Sequence, residues 1–250
     1  MRLVALIPAR FGSTRFPGKP LADVLGKPLI QRVYEQARQV EGLDGLYVAT
    51  DDKRIFECVE SFGGRALMTR ADHPSGSDRL AEATAALNLV PEDIVVNIQG
   101  DQVVFPPPLI AQLAAPLIRD PEVVMVTPVR RFTDPAAAAN PNLVKVVFDR
   151  EHRALYFSRS PLPCWRDGQD PYFYKHIGIY AYRVGFLQRF IHLPPGRWEQ
   201  AERLEQLRAL EHGFPIHLVE TREDTLEVDT PEDLAAVEKY LQARAVVQPG

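Results

Sequence analysis

Only two cysteines occur in the 250 residues, Cys58 and Cys164, and neither falls in a Cys-x-x-Cys or Cys/His spacing. That leaves no basis for a disulfide framework or a zinc cluster, and isolated thiols suit a reducing compartment. Basic blocks are equally absent: 29 Lys and Arg stand against 33 Asp and Glu, a formal charge of -4 with the signs intermixed. Such a surface lacks the electrostatic footprint of a nucleic-acid binder. No apolar run reaches membrane-spanning length, and the opening Leu3-Val4-Ala5-Leu6-Ile7 is too short for a signal peptide and meets Pro8 and Arg10 at once. The expectation is a cytoplasmic protein with no nucleic-acid partner and no membrane insertion. Internal repeats and low-complexity linkers are missing too, so residues 1–245 are expected to form one domain, with 246–250 a frayed tail.

What is present is enough apolar residue, 46%, to bury a full core. Short apolar runs alternate with segments of helical period, the pattern of a parallel sheet covered by helices. Strands are expected at Leu3 to Ile7, Leu46 to Thr50, Ala66 to Met68 and Ile94 to Ile98. Helices are expected between them at Lys27 to Val40, Lys53 to Phe62 and Asp78 to Leu89. Beyond a helix near Pro108 to Ile118, strands follow at Val123 to Val129, Val144 to Phe148, Leu155 to Arg159 and Ile177 to Tyr182, with Asp134 to Asn140 a loop or short helix. A long helix over Arg197 to His212, a strand from Ile216 to Glu220 and a last helix from Pro231 to Ala243 complete the reading. Thr230 is the expected N-cap of that last helix, with Asp233 at its N3 position.

Several segments could carry chemistry. Arg10, Arg15 and Lys19 are interleaved with Gly12, Ser13, Thr14 and Gly18 just beyond the carboxyl end of the first strand, where open α/β sheets bind ligands. Fixed cations beside flexible backbone suit a triphosphate, although the same composition suits a solvated basic loop. It is not a Walker A loop: five residues separate Gly12 from Gly18, and Pro20 stands where Ser or Thr would bind magnesium. Gln99-Gly100-Asp101 ends the central strand and can present a carboxylate to an ion. Asp229 could be its partner, or simply an acid favoured at the start of the last helix. Arg70 to Arg79 is a polar loop able to read a base edge, or two turns and a cap. His176, at a strand start, and Glu205 with Arg208, at helical i,i+3 spacing, have ordinary surface roles open to them as well.

Taken in order, these segments resemble the 3-deoxy-manno-octulosonate (Kdo) cytidylyltransferase, or CMP-Kdo synthetase, family. The resemblance runs from about Leu3 to Leu241. It rests on Ile7-Pro8-Ala9-Arg10, Ser13 to Pro20, Thr69 to His73, Asn97-Ile98-Gln99-Gly100-Asp101, Asn140-Pro141-Asn142, Ala154 to Arg159, His176 to Tyr180, Leu204 to Arg208 and Val228 to Asp233. It implies an α/β fold with a mixed, mostly parallel central sheet flanked by helices, of the Rossmann-like nucleotide-diphospho-sugar transferase kind. A β-rich insertion, about 125–200, would bind the sugar and form a homodimer. The implied reaction is CTP plus Kdo giving CMP-Kdo and pyrophosphate for lipopolysaccharide biosynthesis, with Mg2+ as cofactor.

By the same resemblance, Arg10, Arg15 and Lys19 take the CTP phosphates, and Pro8, Ala9, Arg70, Ser75, Gly76 and Gln99 complete the CTP site. Asp101 and Asp229 would ligate the metal and, with Lys19 and Arg15, form the catalytic set. Gln99, Arg159, His176, Tyr180, Glu205 and Gln206 would hold the acidic 3-deoxy sugar, Arg159 matching its carboxylate by charge. Two positions depart from the family pattern. Gln102-Val103 replaces the usual Glu-Pro, and Glu227 replaces a Gly before Val-Asp-Thr. A related acidic sugar, such as 8-amino-Kdo or a nonulosonate, is therefore the alternative substrate, and a non-catalytic nucleotide-binding module the alternative of another class.

Overall fold

The structure, a computed structural model, describes residues 1–12, 16–166, 170–223 and 225–247. In chain order the elements are β1 (Leu3–Ala9), β2 (Asp23–Val24), β3 (Lys27–Pro28), α1 (Leu29–Ala37), β4 (Gly45–Thr50), α2 (Lys53–Ser61), β5 (Ala66–Met68), α3 (Gly76–Ala86), β6 (Ile94–Asn97) and β7 (Gln102–Val104). Then come α4 (Pro108–Arg119), β8 (Met125–Phe132), α5 (Pro135–Ala139), β9 (Lys145–Phe148), β10 (Ala154–Ser158), β11 (Phe173–His176), β12 (Tyr180–Arg183) and α6 (Val184–Phe190). The last are α7 (Arg197–Glu202), α8 (Leu207–Glu211), β13 (His217–Glu220), β14 (Leu226–Glu227) and α9 (Pro231–Val247). They fall into two compact units.

One unit gathers Arg2–Leu89, Asn97–Pro108 and Thr225–Gly250. In it β1, β4 and β5 pair in parallel, Ile7 opposite Val48 and Val48 opposite Ala66. Val4 to Ile7 are buried without alternation, as a strand covered on both faces requires. Leu29, Ile30, Val33, Tyr34 and Ala37 form the buried stripe of α1, which begins after Pro28 rather than at Lys27. Asp52 caps α2 by accepting from the Arg54 N–H, and Ser75 caps α3 by accepting from that of Asp78. The expected capping box of α9 is present: Asp233 N–H donates to the Thr230 hydroxyl oxygen (3.3 Å) and Thr230 N–H to Asp233 Oδ2 (2.8 Å). The short antiparallel ribbon of β7 and β14 brings the start of this last segment beside Asp101, whose carbonyl accepts from Val228 N–H at 3.0 Å.

The other unit gathers Val90–Val96 and Leu109–Asp224. Its strands run β10-β9-β11-β8-β12-β6, with β13 parallel to β8 and antiparallel pairing around β8 and β9. Parallel pairing in one unit and this pattern in the other make the strand set mixed, as expected. The strand expected over Ile177 to Tyr182 starts only at Tyr180, as β12, and β11, which was not expected, precedes it over Phe173–His176; the two pair with successive stretches of β8. Ile177 to Ile179 step aside between them, and the Thr127 hydroxyl lies 3.1 Å and 2.8 Å from the Ile177 and Ile179 carbonyls. The long helix expected over Arg197 to His212 is broken into α7 and α8 by Arg203, which adopts the left-handed conformation (φ 56).

Candidate active site

At the carboxyl end of β1 the chain turns through Arg10 and Phe11, and Gly18 closes the turn by donating its N–H to the Phe11 carbonyl at 3.1 Å. Gly18 needs to be glycine: its φ is +72, and an added Cβ would meet the Phe11 ring at 3.1 Å. Arg15, with Ser13 and Thr14, lies outside the described residues. Lys19 follows in a single 3₁₀ turn, and its ammonium lies 2.7 Å from Asp101 Oδ2, 2.9 Å from the Val228 carbonyl and 3.3 Å from Asp229 Oδ1. The two candidate metal ligands, far apart in sequence, thus converge on one cation.

Burial alone would lower the Lys19 pKa, but Asp101 and then Asp229 outweigh it and hold the ammonium above its ordinary value. Burial pushes the Asp101 carboxyl above the usual range, with Lys19 pulling it back down. Two carboxylate oxygens about one positive centre are what magnesium takes from a protein when phosphate and water supply the rest. Among the described residues no group of three or more His, Cys, Asp or Glu is placed to hold a metal. The Asp101 and Asp229 carboxylates have the donor chemistry that would suit a hard cation drawing the rest of its shell from phosphate and water.

Around this pair lies a cavity of about 420 Å³ lined by Pro8, Ala9, Arg10, Lys19, Ser75, Gly76, Gln99, Asp101 and Asp229 of the expected set. Gly100 lies so close to β1 that a Cβ there would stand 2.7 Å from the Pro8 carbonyl oxygen. Arg70 does not line the cavity; its guanidinium pairs with Asp72 at 2.9 Å on the exposed side of the loop. The sequence reading singled out neither His73 nor Arg79 individually, and both line the cavity. Arg79, only 4% exposed, donates to Asp51 Oδ2 (3.0 Å), Thr69 Oγ1 (2.5 Å) and the Arg70 carbonyl (3.3 Å), fixing the 69–70 backbone against α3. His73 bonds to Glu82, which also accepts the Arg70 N–H. The signal for Arg79 was its place on the buried face of an amphipathic helix, where an unpaired arginine is not tolerated.

The expected sugar residues other than Gln99 belong to the other unit. His176 is buried between Phe157 and Tyr180, with ring centroids 5.1 Å and 5.4 Å away, and its Nε2 is 3.0 Å from Thr127 Oγ1. Burial, and secondarily Lys175, depresses its pKa to about 3, so it is neutral at physiological pH. Burial, reinforced by Glu205, pushes the Tyr180 hydroxyl upward. Glu205 and Arg208 do form the i,i+3 pair, at 3.7 Å, but Arg208 sits closer to Glu199, at 2.5 Å. Gln206 is 5% exposed, and its Nε2 has no hydrogen-bond partner among the described residues. Arg159 donates to backbone carbonyls through all three of its nitrogens.

A family model described as cytidylyltransferase matches residues 4–246. The chain belongs to the cytidylyltransferase family. This cytidylyltransferase is 53% identical over 245 residues to the 3-deoxy-manno-octulosonate cytidylyltransferase of Syntrophus aciditrophicus, covering 98% of this chain and 99% of that protein. It is 52% identical over 242 residues to the 8-amino-3,8-dideoxy-manno-octulosonate cytidylyltransferase of Shewanella pealeana, with 96% and 99% covered. Among solved structures it superposes on CMP:2-keto-3-deoxy-manno-octonic acid synthetase complexed with CTP with a TM-score of 0.92 and 44% identity, over 98% of this chain and 100% of that one. The fold extends to 4-diphosphocytidyl-2C-methyl-D-erythritol synthase, at a TM-score of 0.65 and 14% identity.

Proposed function

We propose that this cytidylyltransferase transfers CMP from CTP to the anomeric hydroxyl of 3-deoxy-manno-octulosonate, releasing pyrophosphate. The observation that carries the reading is the Lys19 ammonium between the Asp101 and Asp229 carboxylates in a cavity walled by the β1 turn and the α3 N-terminus. The names of the similar proteins add the sugar.

In this reading Arg10, Arg15 and Lys19 hold the triphosphate, and Ser75, Gly76 and the neighbouring loop hold the nucleoside. Asp101 and Asp229 would hold magnesium, which when bound supplies Lewis-acid polarisation of phosphate oxygens. Arg159, His176, Tyr180, Glu205 and Gln206 orient the acceptor. Lys19 and Arg15 neutralise charge that builds on the departing pyrophosphate. The attacking oxygen comes from the sugar, so no protein nucleophile is called for, and catalysis is positioning plus charge stabilisation. We place the enzyme in the cytoplasm as a homodimer whose β-rich part, about 125–200, joins the subunits, with its product entering lipopolysaccharide assembly.

The test is pyrophosphate release with CTP and magnesium across a panel of 3-deoxy sugar acids that includes the 8-amino sugar. The expected outcome is fastest turnover with 3-deoxy-manno-octulosonate. Preference for the 8-amino sugar would replace the substrate in this reading, and nucleotide binding without turnover on any acid would replace the reading itself.

A further inference from the structure

Lys145, on β9 directly opposite Ser158 of β10, has no exposed surface. Its ammonium donates to the carbonyls of Asn140 (3.0 Å), Leu143 (2.6 Å) and Arg159 (2.5 Å). Three N–H bonds on three carbonyls satisfy a lysine completely, with none left for a ligand. Burial lowers its pKa, the charge of Glu202 opposing that shift and the charge of Arg159 adding to it.

Glu202, the last residue of α7, closes the other side. Its Oε1 accepts from the Ser158 hydroxyl (2.5 Å), its Oε2 from the Arg159 N–H (2.9 Å), and its carbonyl from Arg159 Nε (2.7 Å). The Arg159 guanidinium also donates to Pro141 O from Nη1 (2.9 Å) and to Arg203 O from Nη2 (3.4 Å). Three segments are thereby tied together: the 140–143 turn, the end of β10, and the α7–α8 corner that carries Glu205 and Gln206. Arg159 is half-buried, and each of its terminal nitrogens keeps a second N–H beyond the carbonyl it serves.

We propose that Lys145 and Glu202 are positioning residues for the acceptor: they fix Arg159 and the Glu205–Gln206 corner in place. The proposal rests on the reading that these residues receive the acceptor. It assigns Arg159 a double role, with part of its fork fastened to the backbone and the remaining N–H groups turned to the substrate. A buried lysine is then needed because a side chain without donors would strand three carbonyls.

The experiment uses the full-length enzyme with Lys145→Met and Glu202→Gln, measuring KM for CTP and for 3-deoxy-manno-octulosonate, CTP affinity by calorimetry without sugar, and the thermal midpoint. Each variant should raise the sugar KM by about tenfold or more while the CTP values stay within about twofold, as removal of a supporting contact does elsewhere. Parallel loss of sugar and CTP affinity, or an unchanged sugar KM in a folded variant, overturns the proposal. Glu202→Gln removes charge without volume and decides the matter should Lys145→Met not fold. Absence of turnover by the wild-type enzyme on this sugar would instead strike the underlying reading.

Discussion

Gln102 stands opposite Glu227 in the ladder that joins β7 to β14, so the two positions at which the resemblance implies other residues are cross-strand partners. Gln102 is fully buried; its Nε2 lies 3.4 Å from the Leu226 carbonyl, and its Oε1 has no partner among the described residues. An acid at 102 would face that carbonyl and a second acid across the ribbon. Gln102→Glu should therefore cost about 1–3 kcal/mol of stability in urea unfolding, and Glu227→Gly should recover part of that loss. Strictly additive effects of the two substitutions would show that the positions are independent.

Asp101→Asn and Asp229→Asn should each lower the rate of pyrophosphate release by about 100-fold or more while CTP binding survives in part, because each removes a charge from the pair around Lys19. Near-normal turnover in either variant, measured at saturating CTP and magnesium, would refute the metal assignment.

Gly100→Ala forces a methyl group to within 2.7 Å of the Pro8 carbonyl, a backbone atom that can yield only by moving β1. Stability should fall by about 1–3 kcal/mol. CTP affinity should fall with it, because Pro8 and Gly100 both line the cavity. Calorimetric CTP binding equal to that of the wild type would show that the approach of these backbones is immaterial.

His176, depressed to about 3 in the fold, protonates near its ordinary 6.5 once unfolded. The unfolded chain therefore binds the proton first as pH falls. The stability contributed by the neutral, buried ring is complete above pH 6.5 and is lost progressively toward pH 3. Across that window the wild type should lose up to about 1.4 kcal/mol per pH unit more than His176→Gln. Parallel stability–pH curves for the two proteins would contradict it.

The parts legible in the sequence were those where one local signal suffices. β1, β4 and β6 are uninterrupted apolar runs, α2 carries an Asp cap, and α9 opens on Thr-Pro with Asp233 in place. The break at Arg203 was not legible. Leu204 and Leu207 keep helical spacing directly after it, no Gly or Pro marks it, and the turn is held by Glu202 and Arg159, which meet only in the folded chain. β7 and β14 are too short to show any period. In the site, the cations of the β1 turn announced themselves by composition. Arg79 and His73 did not, because their partners Asp51 and Glu82 are brought to them by the fold.

The β7–β14 ribbon also orders events in time. A chain emerging from the ribosome builds β1, β4 and the Lys19 turn early, yet Asp101 stays without its neighbour until the segment bearing Val228 and Asp229 has been made and has zipped against it. The nascent protein can thus own most of the residues that line its cavity while lacking half of its carboxylate pair, which is complete only once Asp229 has been made.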